Sequence, residues 1–226
     1  MPDKTVNGLI IGADGKRRCS WCISDPLYVD YHDTQWGRPV VTENQLYEKI
    51  CLEGFQSGLS WLTILRKRES FRRVFHNFDP LVVSKFTQRD VTRLLKDESI
   101  IRHRGKIEAT IQNAKATLQV QNEYGSLTKF VWSFRLVPKE ITSHKAPKSM
   151  ADIVASTPES EALSKALKAH GFKFVGPTTM YAAMQSLGLV NDHIVGCHLR
   201  AICDREQKIS ARKVGAQKVI AKSIFA

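Results

Sequence analysis

Four residues near the two ends of the chain have side chains that commonly bind metal ions. They are Cys19, His32, His193 and Cys197. Two thiolates and two imidazoles form a closed tetrahedral set for a zinc ion. His193 and Cys197 are four residues apart, so on a helix both would leave the same face and could bind one ion. The spacing alone also fits buried cysteines and core histidines with hydrogen-bond partners, and both interpretations stay open.

A carboxylate that is followed by glycines and aromatic residues is the second feature with chemical potential. Glu53 lies directly before Gly54 in the segment 53–61, and glycines allow a flat ligand to approach the backbone closely. The rings of Tyr31 and Trp61 would attract a cationic ring through their quadrupoles. These residue types together suit a cationic, methylated purine. An ordinary core tryptophan with a solvated glutamate is the alternative, and the residues alone do not exclude it.

Positive charge dominates the composition. The 226 residues include 34 Lys and Arg against 22 Asp and Glu, which gives a net charge of +12. Such an excess favours a polyanionic partner, nucleic acid above all, through phosphate contacts and counterion release. Basic clusters occur at residues 66–68, 72–73, 102–106 and 205–222. Each cluster taken singly also fits a solvated helix face.

The cysteines and the apolar runs indicate the environment in which the protein works. Five cysteines are an odd number, and without a secretory signal they favour a reduced, cytoplasmic protein. No apolar run is long enough to span a membrane, so we expect no membrane partner. We expect a monomer by default.

Helical patterns fill most of the sequence between residues 42 and 187. The residues from Thr42 to Gln45 predict a capping box that starts a helix, and Asp79 followed by Pro80 predicts another helix start. Apolar spacing predicts helices over 59–75, 87–96, 104–121, 156–169 and 177–187. Strand signals are nearly absent, so the predicted fold is all-α. Residues 19–42 contain turn signals and predict an aromatic, irregular segment.

A glycine-flanked turn joins the last two predicted helices. The turn from Gly171 to Gly176 and the helix that opens with Pro177 make a candidate helix-hairpin-helix at about residues 159–188. Such a hairpin presents backbone N–H groups to a DNA phosphate, although antiparallel helices also turn through glycine without binding anything.

Three segments are expected along the chain. Residues 1–17 predict a flexible N-terminal extension, because they are polar and lack periodicity. Residues 18–200 predict a single all-α domain. Residues 201–226 predict a basic C-terminal tail without regular structure.

Several short strings run in order through residues 18–197. They include Arg18-Cys19-Ser20-Trp21, Tyr31-His32-Asp33, Cys51-Leu52-Glu53-Gly54, Gly58-Leu59-Ser60-Trp61, the stretch from Ile100 to Lys106, the turn from Gly171 to Gly176, and Leu189-Val190-Asn191-Asp192-His193. Together they resemble the type I 3-methyladenine DNA glycosylase family. The resemblance implies an all-α helix-hairpin-helix glycosylase fold in which a zinc clasp joins the N- and C-terminal segments. It also implies a monofunctional hydrolase that releases 3-methyladenine from alkylated double-stranded DNA in base excision repair.

The resemblance also implies roles for individual residues. Glu53 would be the catalytic carboxylate of the pocket, and Leu59 would fill the gap that an extruded base leaves in the duplex. One structural Zn²⁺ per chain would be bound by Cys19, His32, His193 and Cys197, with no open position for a catalytic water. The pocket aromatics would be Trp21, Tyr28, Tyr31, Trp36 and Trp61, and the DNA-binding residues Gln56, Gly58, Leu59, Gly171, Lys173 and Gly176.

Some residues depart from the pattern of that family. Cys22 forms a Cys-x-x-Cys with Cys19 and could compete for the metal or form a redox pair. Gln35 stands where the family pattern predicts glutamate. Asp192 is the only acid shortly after the hairpin, and because it directly precedes a candidate zinc ligand we do not expect it to assist the reaction. The alternative function is a noncatalytic, zinc-stabilised DNA-binding protein, although such a protein would not need Glu53 and the aromatic set.

Overall fold

The computed structural model describes residues 7–135 and 146–215, and its regular structure is almost entirely helical. The helices are α1 (Pro26–Thr34), α2 (Glu43–Gln56), α3 (Trp61–Val74), α4 (Pro80–Val83), α5 (Gln88–Leu95), α6 (Arg104–Tyr124), α7 (Leu127–Trp132), α8 (Pro158–Ala169), α9 (Pro177–Ser186) and α10 (Arg200–Val214). This confirms the all-α prediction. None of the helices in these two ranges combines the length and apolar character needed to cross a membrane.

Polar side chains determine where several helices begin. Asp79 accepts a hydrogen bond from the backbone N–H of Leu81 (2.9 Å), and α4 starts there as predicted. Helix α2 also starts at the predicted position, but the predicted capping box does not form. The hydroxyl of Thr42 donates to the side-chain oxygen of Gln45 (2.7 Å) and so does not cap the backbone.

Helix α1 corrects the prediction of an irregular segment over residues 19–42. The Asp25 side chain accepts from the backbone N–H two residues later (2.8 Å), and Pro26 opens the first turn. This is the arrangement that also starts α4. The helix buries only Tyr31 and His32, so its sequence needs no continuous apolar stripe and shows no clear one. It therefore places a predicted pocket residue and a predicted metal ligand next to each other on one rigid element.

Helix α2 runs through the centre of the hydrophobic core. All ten residues from Leu46 to Phe55 are buried, because α3, α6, α7 and α9 pack around this helix. The surrounding core extends in sequence from Tyr31 to Val190. The polar residues Lys49 and Glu53 are consequently buried as well, and buried polar groups require partners.

The N-terminal segment corrects the prediction of a flexible extension over residues 1–17. Strand β1 (Leu9–Ile11) pairs antiparallel with strand β2 (Arg17–Cys19), and Leu9 lies opposite Cys19. Ile10 is buried, so this short hairpin is tied to the body of the protein by apolar packing. Residues 1–6 lie outside the described residues.

The C-terminal segment likewise differs from the predicted tail over 201–226. Helix α10 continues to Val214, and residues 216–226 lie outside the described residues. Gln207 is buried and its side-chain amide donates to the backbone oxygens of Gly37 (3.0 Å) and Val190 (3.3 Å). Cys203 and Gln207 are the only buried residues of α10. The helix therefore has no wide apolar stripe, which is the signal that sequence periodicity detects.

Helices α8 and α9 pack against each other and are joined by the turn over residues 170–176, as predicted. Gly171 has a φ of +85° and Phe174 a φ of +56°, and these two left-handed residues reverse the chain direction. Phe174 is 39% exposed at the tip of the turn. A non-glycine residue in this conformation is uncommon, so the turn is held by contacts outside itself.

Candidate active site and metal cluster

An aromatic cavity of about 210 Å³ lies beside the middle of α2. Its walls include all five aromatic residues that the sequence predicted for the pocket, together with Glu53 and Gln56. The lining residues are Trp21, Tyr28, Tyr31, Trp36, Glu53, Gln56, Trp61, Met150, Ile153, Ala182, Gln185 and Ser186. Residues that are far apart in the sequence are thus brought together in one concave site, which is the usual form of a small-molecule pocket.

On one side of the cavity the aromatic rings pack edge to face. The ring of Trp21 lies 4.9 Å from that of Tyr28 and 5.0 Å from that of Trp36, both at steep angles. On the other side, the rings of Tyr31 and Trp61 are 5.5 Å apart. Edge-to-face packing fixes the rings of the wall, and their π faces would attract an electron-poor or cationic ring.

Glu53 is the carboxylate of this cavity. Its side chain is only 4% exposed, and Oε1 accepts a hydrogen bond from the hydroxyl of Ser186 on α9 (2.8 Å). Burial raises the pKa of Glu53 to about 7, while the positive charge of Lys49 and the bond from Ser186 act in the opposite direction. The carboxyl group therefore titrates close to neutral pH and can accept a hydrogen bond from a bound ligand when ionised.

Lys49 is a buried residue of the site that the sequence interpretation missed. Its ammonium group donates to the Tyr31 hydroxyl (2.9 Å) and lies 4.7 Å and 5.1 Å from the ring centroids of Tyr31 and Trp61. Burial lowers the pKa of Lys49 to about 8, and the charge of Glu53 opposes this shift. The i,i+4 spacing of Lys49 and Glu53 on a predicted helix was the available signal.

Asp192 is not among the residues that line the cavity. Its carboxylate is buried and accepts hydrogen bonds from the hydroxyl of Tyr181 (2.6 Å) and the side-chain amide of Gln185 (2.7 Å). Gln185 itself lines the cavity. Asp192 thus orients a residue of the wall.

The loop between α2 and α3 lies at the edge of the cavity and contains the predicted Gln56, Gly58 and Leu59. Gln56 and Trp61 line the cavity on either side of this loop. Gly58 has a φ of +80°, which favours glycine, and Leu59 is 40% exposed. An exposed leucine next to an aromatic cavity is a suitable shape for insertion into a base stack.

The predicted hairpin residues Gly171, Lys173 and Gly176 lie in the turn between α8 and α9, and none of them lines the aromatic cavity. Lys173 is exposed, while its backbone is held by the side chain of Asn113. Gly176 is the N-cap of α9, and because Pro177 has no N–H, the first backbone N–H groups of that helix belong to Thr178 and Thr179. The geometry suits contact with an anion at the surface.

The four predicted metal ligands converge on one point although they come from the two ends of the chain. The candidate ligand atoms of Cys19, His32, His193 and Cys197 all lie within 4.8 Å of one another, and all four residues are buried. The Sγ atom of Cys197 lies 3.6 Å from His32 Nε2 and 3.5 Å from His193 Nδ1. Zinc bonds of about 2.0–2.3 Å in a tetrahedron place ligand atoms about 3.3–3.8 Å apart. The cluster could therefore hold a metal ion.

Partners of the two histidines orient the cluster. The Nδ1 atom of His32 lies 2.8 Å from a carboxylate oxygen of Asp33, and the Nε2 atom of His193 lies 3.2 Å from the backbone oxygen of Trp36. Arg18 in turn donates to Asp33 (2.8 Å). Each imidazole thus has an acceptor on the nitrogen that faces away from the cluster, as metal-bound histidines commonly do.

The backbone between His193 and Cys197 is not helical, although the four-residue spacing of these two ligands would also suit a helix. Residues 191–199 form an irregular loop, and Gly196 adopts a φ of +99°. The two side chains still converge because this turn folds the loop back on itself. A helix is prevented here by Gly196, whose left-handed conformation interrupts helical backbone.

Cys22 lies outside the four-residue cluster and forms no disulfide. It is buried, and burial raises the pKa of its thiol to about 12. The position of Cys22 outside the four-residue cluster argues against competition with Cys19 for a metal.

Proteins that resemble this chain match it over most of its length. The protein is 52% identical over 180 residues to DNA-3-methyladenine glycosylase 1 of Escherichia coli (strain K12), which corresponds to 80% of this chain and 95% of that protein. A crystal structure of 3-methyladenine DNA glycosylase I is 51% identical, with a TM-score of 0.75 over 80% of this chain and 98% of that chain. The Staphylococcus aureus enzyme, whose structure concerns 3-methyladenine recognition, is 34% identical, with a TM-score of 0.75 over 81% of this chain and 96% of that chain.

The family model also covers the residues that build the cavity. The model for methyladenine glycosylase matches residues 21–201, a range that includes α1 to α9 and reaches the first residues of α10. The sequence identity to the Escherichia coli protein extends over most of both chains and agrees with this match. The chain belongs to the methyladenine glycosylase family.

Proposed function

We propose that the protein is a monofunctional DNA glycosylase that hydrolyses the N-glycosidic bond of 3-methyladenine in alkylated DNA. The observation that carries this proposal is the buried carboxylate of Glu53 in a cavity whose walls are aromatic. A carboxylate and π faces bind a flat cationic base, whereas a protein that only binds DNA needs neither. The relatives named as 3-methyladenine glycosylases support the same conclusion.

The chemistry requires only modest help, because methylation at N3 gives the adenine a positive charge. The C1′–N9 bond breaks with its electron pair leaving on the base, which departs uncharged. Glu53 accepts a hydrogen bond from the edge of the extruded base, and its negative charge stabilises the positive charge that develops on the sugar. Water then adds to C1′ and loses a proton to solvent. We assign the stacking role to Trp21, Tyr28, Tyr31, Trp36 and Trp61.

The base must leave the duplex before it reaches this cavity. We propose that Leu59 enters the base stack and that the neighbouring Gln56 and Gly58 line the gap. The turn with Gly171, Lys173 and Gly176 would contact the phosphate backbone through N–H groups and positive charge. The partner is therefore double-stranded DNA with alkylated bases, and the proposed active form is a monomer. A DNA substrate also agrees with the predicted cytoplasmic localisation.

A structural zinc ion fits the cluster of Cys19, His32, His193 and Cys197. The spacing of the ligand atoms and the acceptors behind both histidines support this assignment. Four protein ligands close the coordination sphere, so the ion would stabilise the fold by joining the two ends of the domain and would not activate water. The division of the chain into a glycosylase domain over 18–200 with additional terminal segments is part of this proposal.

Release of free 3-methyladenine from methylated duplex DNA tests the proposal. Wild-type protein should release the base, and Glu53→Gln should release it at least about tenfold more slowly, because the variant lacks the negative charge. Exposed Glu98 is a matched control, and Glu98→Gln should retain wild-type activity. Folded wild-type protein that binds methylated duplex DNA without releasing any base would favour the noncatalytic alternative.

A borohydride trapping assay tests the absence of strand cleavage. A bifunctional enzyme forms a Schiff base between a lysine and C1′, and borohydride reduces it to a stable adduct. We expect no adduct with methylated DNA, because the sequence has no lysine at the nucleophile position of the superfamily after the hairpin. Detection of a covalent protein–DNA adduct would overturn the monofunctional assignment.

A further inference from the structure

Helix α6 contacts the two elements that the proposed function places against DNA, through two residues that do not line the cavity themselves. One contact is made by Lys106 with the end of α2. The other is made by Asn113 with the hairpin turn. Residues 106 and 113 are seven positions apart, so they lie two helical turns apart on the same side of α6, about 10 Å along its axis.

Lys106 holds the backbone from which the wedge loop, residues 56–60, extends. Its ammonium group donates to the backbone oxygens of Phe55 (2.8 Å) and Ser57 (2.6 Å). These oxygens lie at the C-terminal end of α2, where carbonyls lack helical partners and the helix dipole attracts a cation. Lys106 is 7% exposed, and no other side chain in residues 7–135 and 146–215 bonds to the backbone of 55–59.

Asn113 holds the hairpin turn at two points. Its side-chain oxygen accepts from the backbone N–H of Lys173 (2.7 Å), and its side-chain nitrogen donates to the backbone oxygen of the same residue (3.1 Å). Asn113 is 2% exposed. These hydrogen bonds to the N–H and to the oxygen of Lys173 fix both the position and the orientation of the turn. Phe174, the next residue, has the left-handed backbone conformation.

The wedge loop and the hairpin also meet through α2. A Cβ atom at Gly54 would lie 3.1 Å from Cβ of Phe174, so the absence of a side chain at this position allows the hairpin to approach α2. The end of α2, the hairpin and α6 therefore form a closed set of contacts. The two surfaces that would touch DNA cannot move relative to each other without breaking one of these hydrogen bonds.

We infer that Lys106 and Asn113 are positioning residues that set the spacing between the wedge at Leu59 and the phosphate-binding turn at Lys173. This inference rests on the proposed function. Anchoring and insertion must occur on one rigid duplex, so a change in their spacing hinders extrusion of the base. Once a base is in the cavity, Lys106 has no contact with it, and the chemical step is unaffected.

The test compares the same lesion in two duplexes, one in which the base is hard to extrude and one in which it is easy to extrude. Single-turnover release of 3-methyladenine is measured from a duplex with thymine opposite the lesion and from a duplex with an abasic site opposite it. Unpairing costs less in the second duplex. Lys106→Met is expected to lose at least tenfold in rate on the paired duplex and less than threefold on the other. Lys106→Arg is expected to recover most of the rate.

Three controls separate positioning from general damage. Lys129→Met removes one positive charge from an exposed site on α7 and should match the wild type on both duplexes. Binding of free 3-methyladenine, followed by tryptophan fluorescence, should change less than twofold in Lys106→Met. Asn113→Ala should show the same preference for the unpaired duplex, which provides a second variant if Lys106→Met does not fold.

The inference would be overturned if both variants lost the same factor in release rate on the two duplexes. It would also be overturned if both variants released the base from the paired duplex at the wild-type rate. A parallel loss of free-base binding would also overturn it, because the residues would then support the cavity. Failure of the proposed function itself gives a different result, since the wild type would then release no base from either duplex.

Discussion

Two charged residues on α2 lie in the core beside the proposed catalytic cavity. Burial raises the pKa of Glu53 and lowers that of Lys49, so each group is pushed toward its neutral form. Their opposite charges counteract this tendency. No ion pair shorter than 4.0 Å joins them in the described ranges, and Lys49 instead donates to Tyr31. The pair acts through space, and the charge of Lys49 favours ionised Glu53.

The rate of base release is expected to fall as the pH drops below about 7. The pKa of Glu53 is raised to about 7, so the ionised form that the reaction needs is lost by protonation in that range. Lys49→Met removes a positive charge that stabilises the carboxylate, which raises the pKa of Glu53 further. The acidic limb of the single-turnover rate profile should therefore move to higher pH, with the largest absolute difference from the wild-type rate between the two pKa values, just above about pH 7.

Lys129→Met is the matched control for that experiment, because it removes a solvent-exposed lysine. Its profile should coincide with that of the wild type. If Lys49→Met also gave the wild-type profile, the electrostatic coupling between Lys49 and Glu53 would be wrong. A uniform loss of rate at every pH would assign Lys49 a purely structural role.

Individual site residues differ in how far the sequence could predict them. Glu53 and the aromatic set were found because they fall in short strings that resemble one family. Lys49 was missed because a lysine on a helix is usually solvated, and its burial depends on four helices that pack around α2. Ser186 was missed because a serine near the end of a helix carries no chemical signal of its own. Its contact with Glu53 joins residues 133 positions apart.

At the level of secondary structure, the predictions succeeded where a cap and an apolar stripe coincide. Asp79 started a helix as predicted, whereas Asp25 makes the same kind of capping hydrogen bond and was interpreted as a turn. Length does not explain the difference, because α4 is shorter than α1 and each helix buries two residues. The turn signals and aromatic residues around Asp25 favoured an irregular segment instead. Helix α7 was also missed, since its six residues from Leu127 to Trp132 are nearly all buried and show no amphipathic period.

The loop over residues 191–199 has no helical hydrogen-bond ladder, so a metal ion would contribute strongly to its order. We predict about one equivalent of zinc per chain in wild-type protein and a large loss of zinc in His193→Ala. Treatment with a chelator should lower the melting temperature by about 5 °C or more, because a ligand that binds only the folded state stabilises it. Elemental analysis and thermal unfolding measure both effects.

Cys22→Ala provides the control for the zinc measurement, since Cys22 is buried but lies outside the cluster. This variant should keep one equivalent of zinc. Loss of zinc from Cys22→Ala would show that the Cys-x-x-Cys pair binds the metal. A metal-free wild type that melts at an unchanged temperature would remove the structural role of the ion.

Helix α10 lies almost wholly beyond the region that the family model matches, yet it contacts backbone close to the cavity. Gln207→Ala would leave the backbone oxygens of Gly37 and Val190 without this donor. We predict a loss of about 1–3 kcal/mol in the free energy of unfolding, which lowers the melting temperature by roughly 3–10 °C. Lys208→Ala, at the exposed next position, should change stability by less than about 0.5 kcal/mol. Equal free energies of unfolding for the two variants would show that the hydrogen bonds of Gln207 do not stabilise the fold.

The charge of the whole molecule predicts how it should associate with DNA. With a net charge of +12, binding to an unmodified duplex should weaken steeply with salt, because phosphate contacts release counterions. Lys173→Ala should reduce the slope of log affinity against log salt concentration by about one unit. Binding of free 3-methyladenine should depend little on salt. A Lys173→Ala slope equal to that of the wild type would mean that the hairpin does not contact a phosphate through this lysine.

The position of the metal cluster along the chain has a consequence for biosynthesis. Cys197 is separated from His32 by 165 residues, and Cys19 from His193 by 174. Such distant groups meet only after most of the intervening chain has folded, since the entropy of closing so long a loop must be offset by earlier contacts. A nascent chain on the ribosome therefore lacks the complete ligand set until Cys197 emerges. Metal uptake would then mark the end of folding, and a prematurely terminated chain would be recognisable to the cell by its inability to retain the ion.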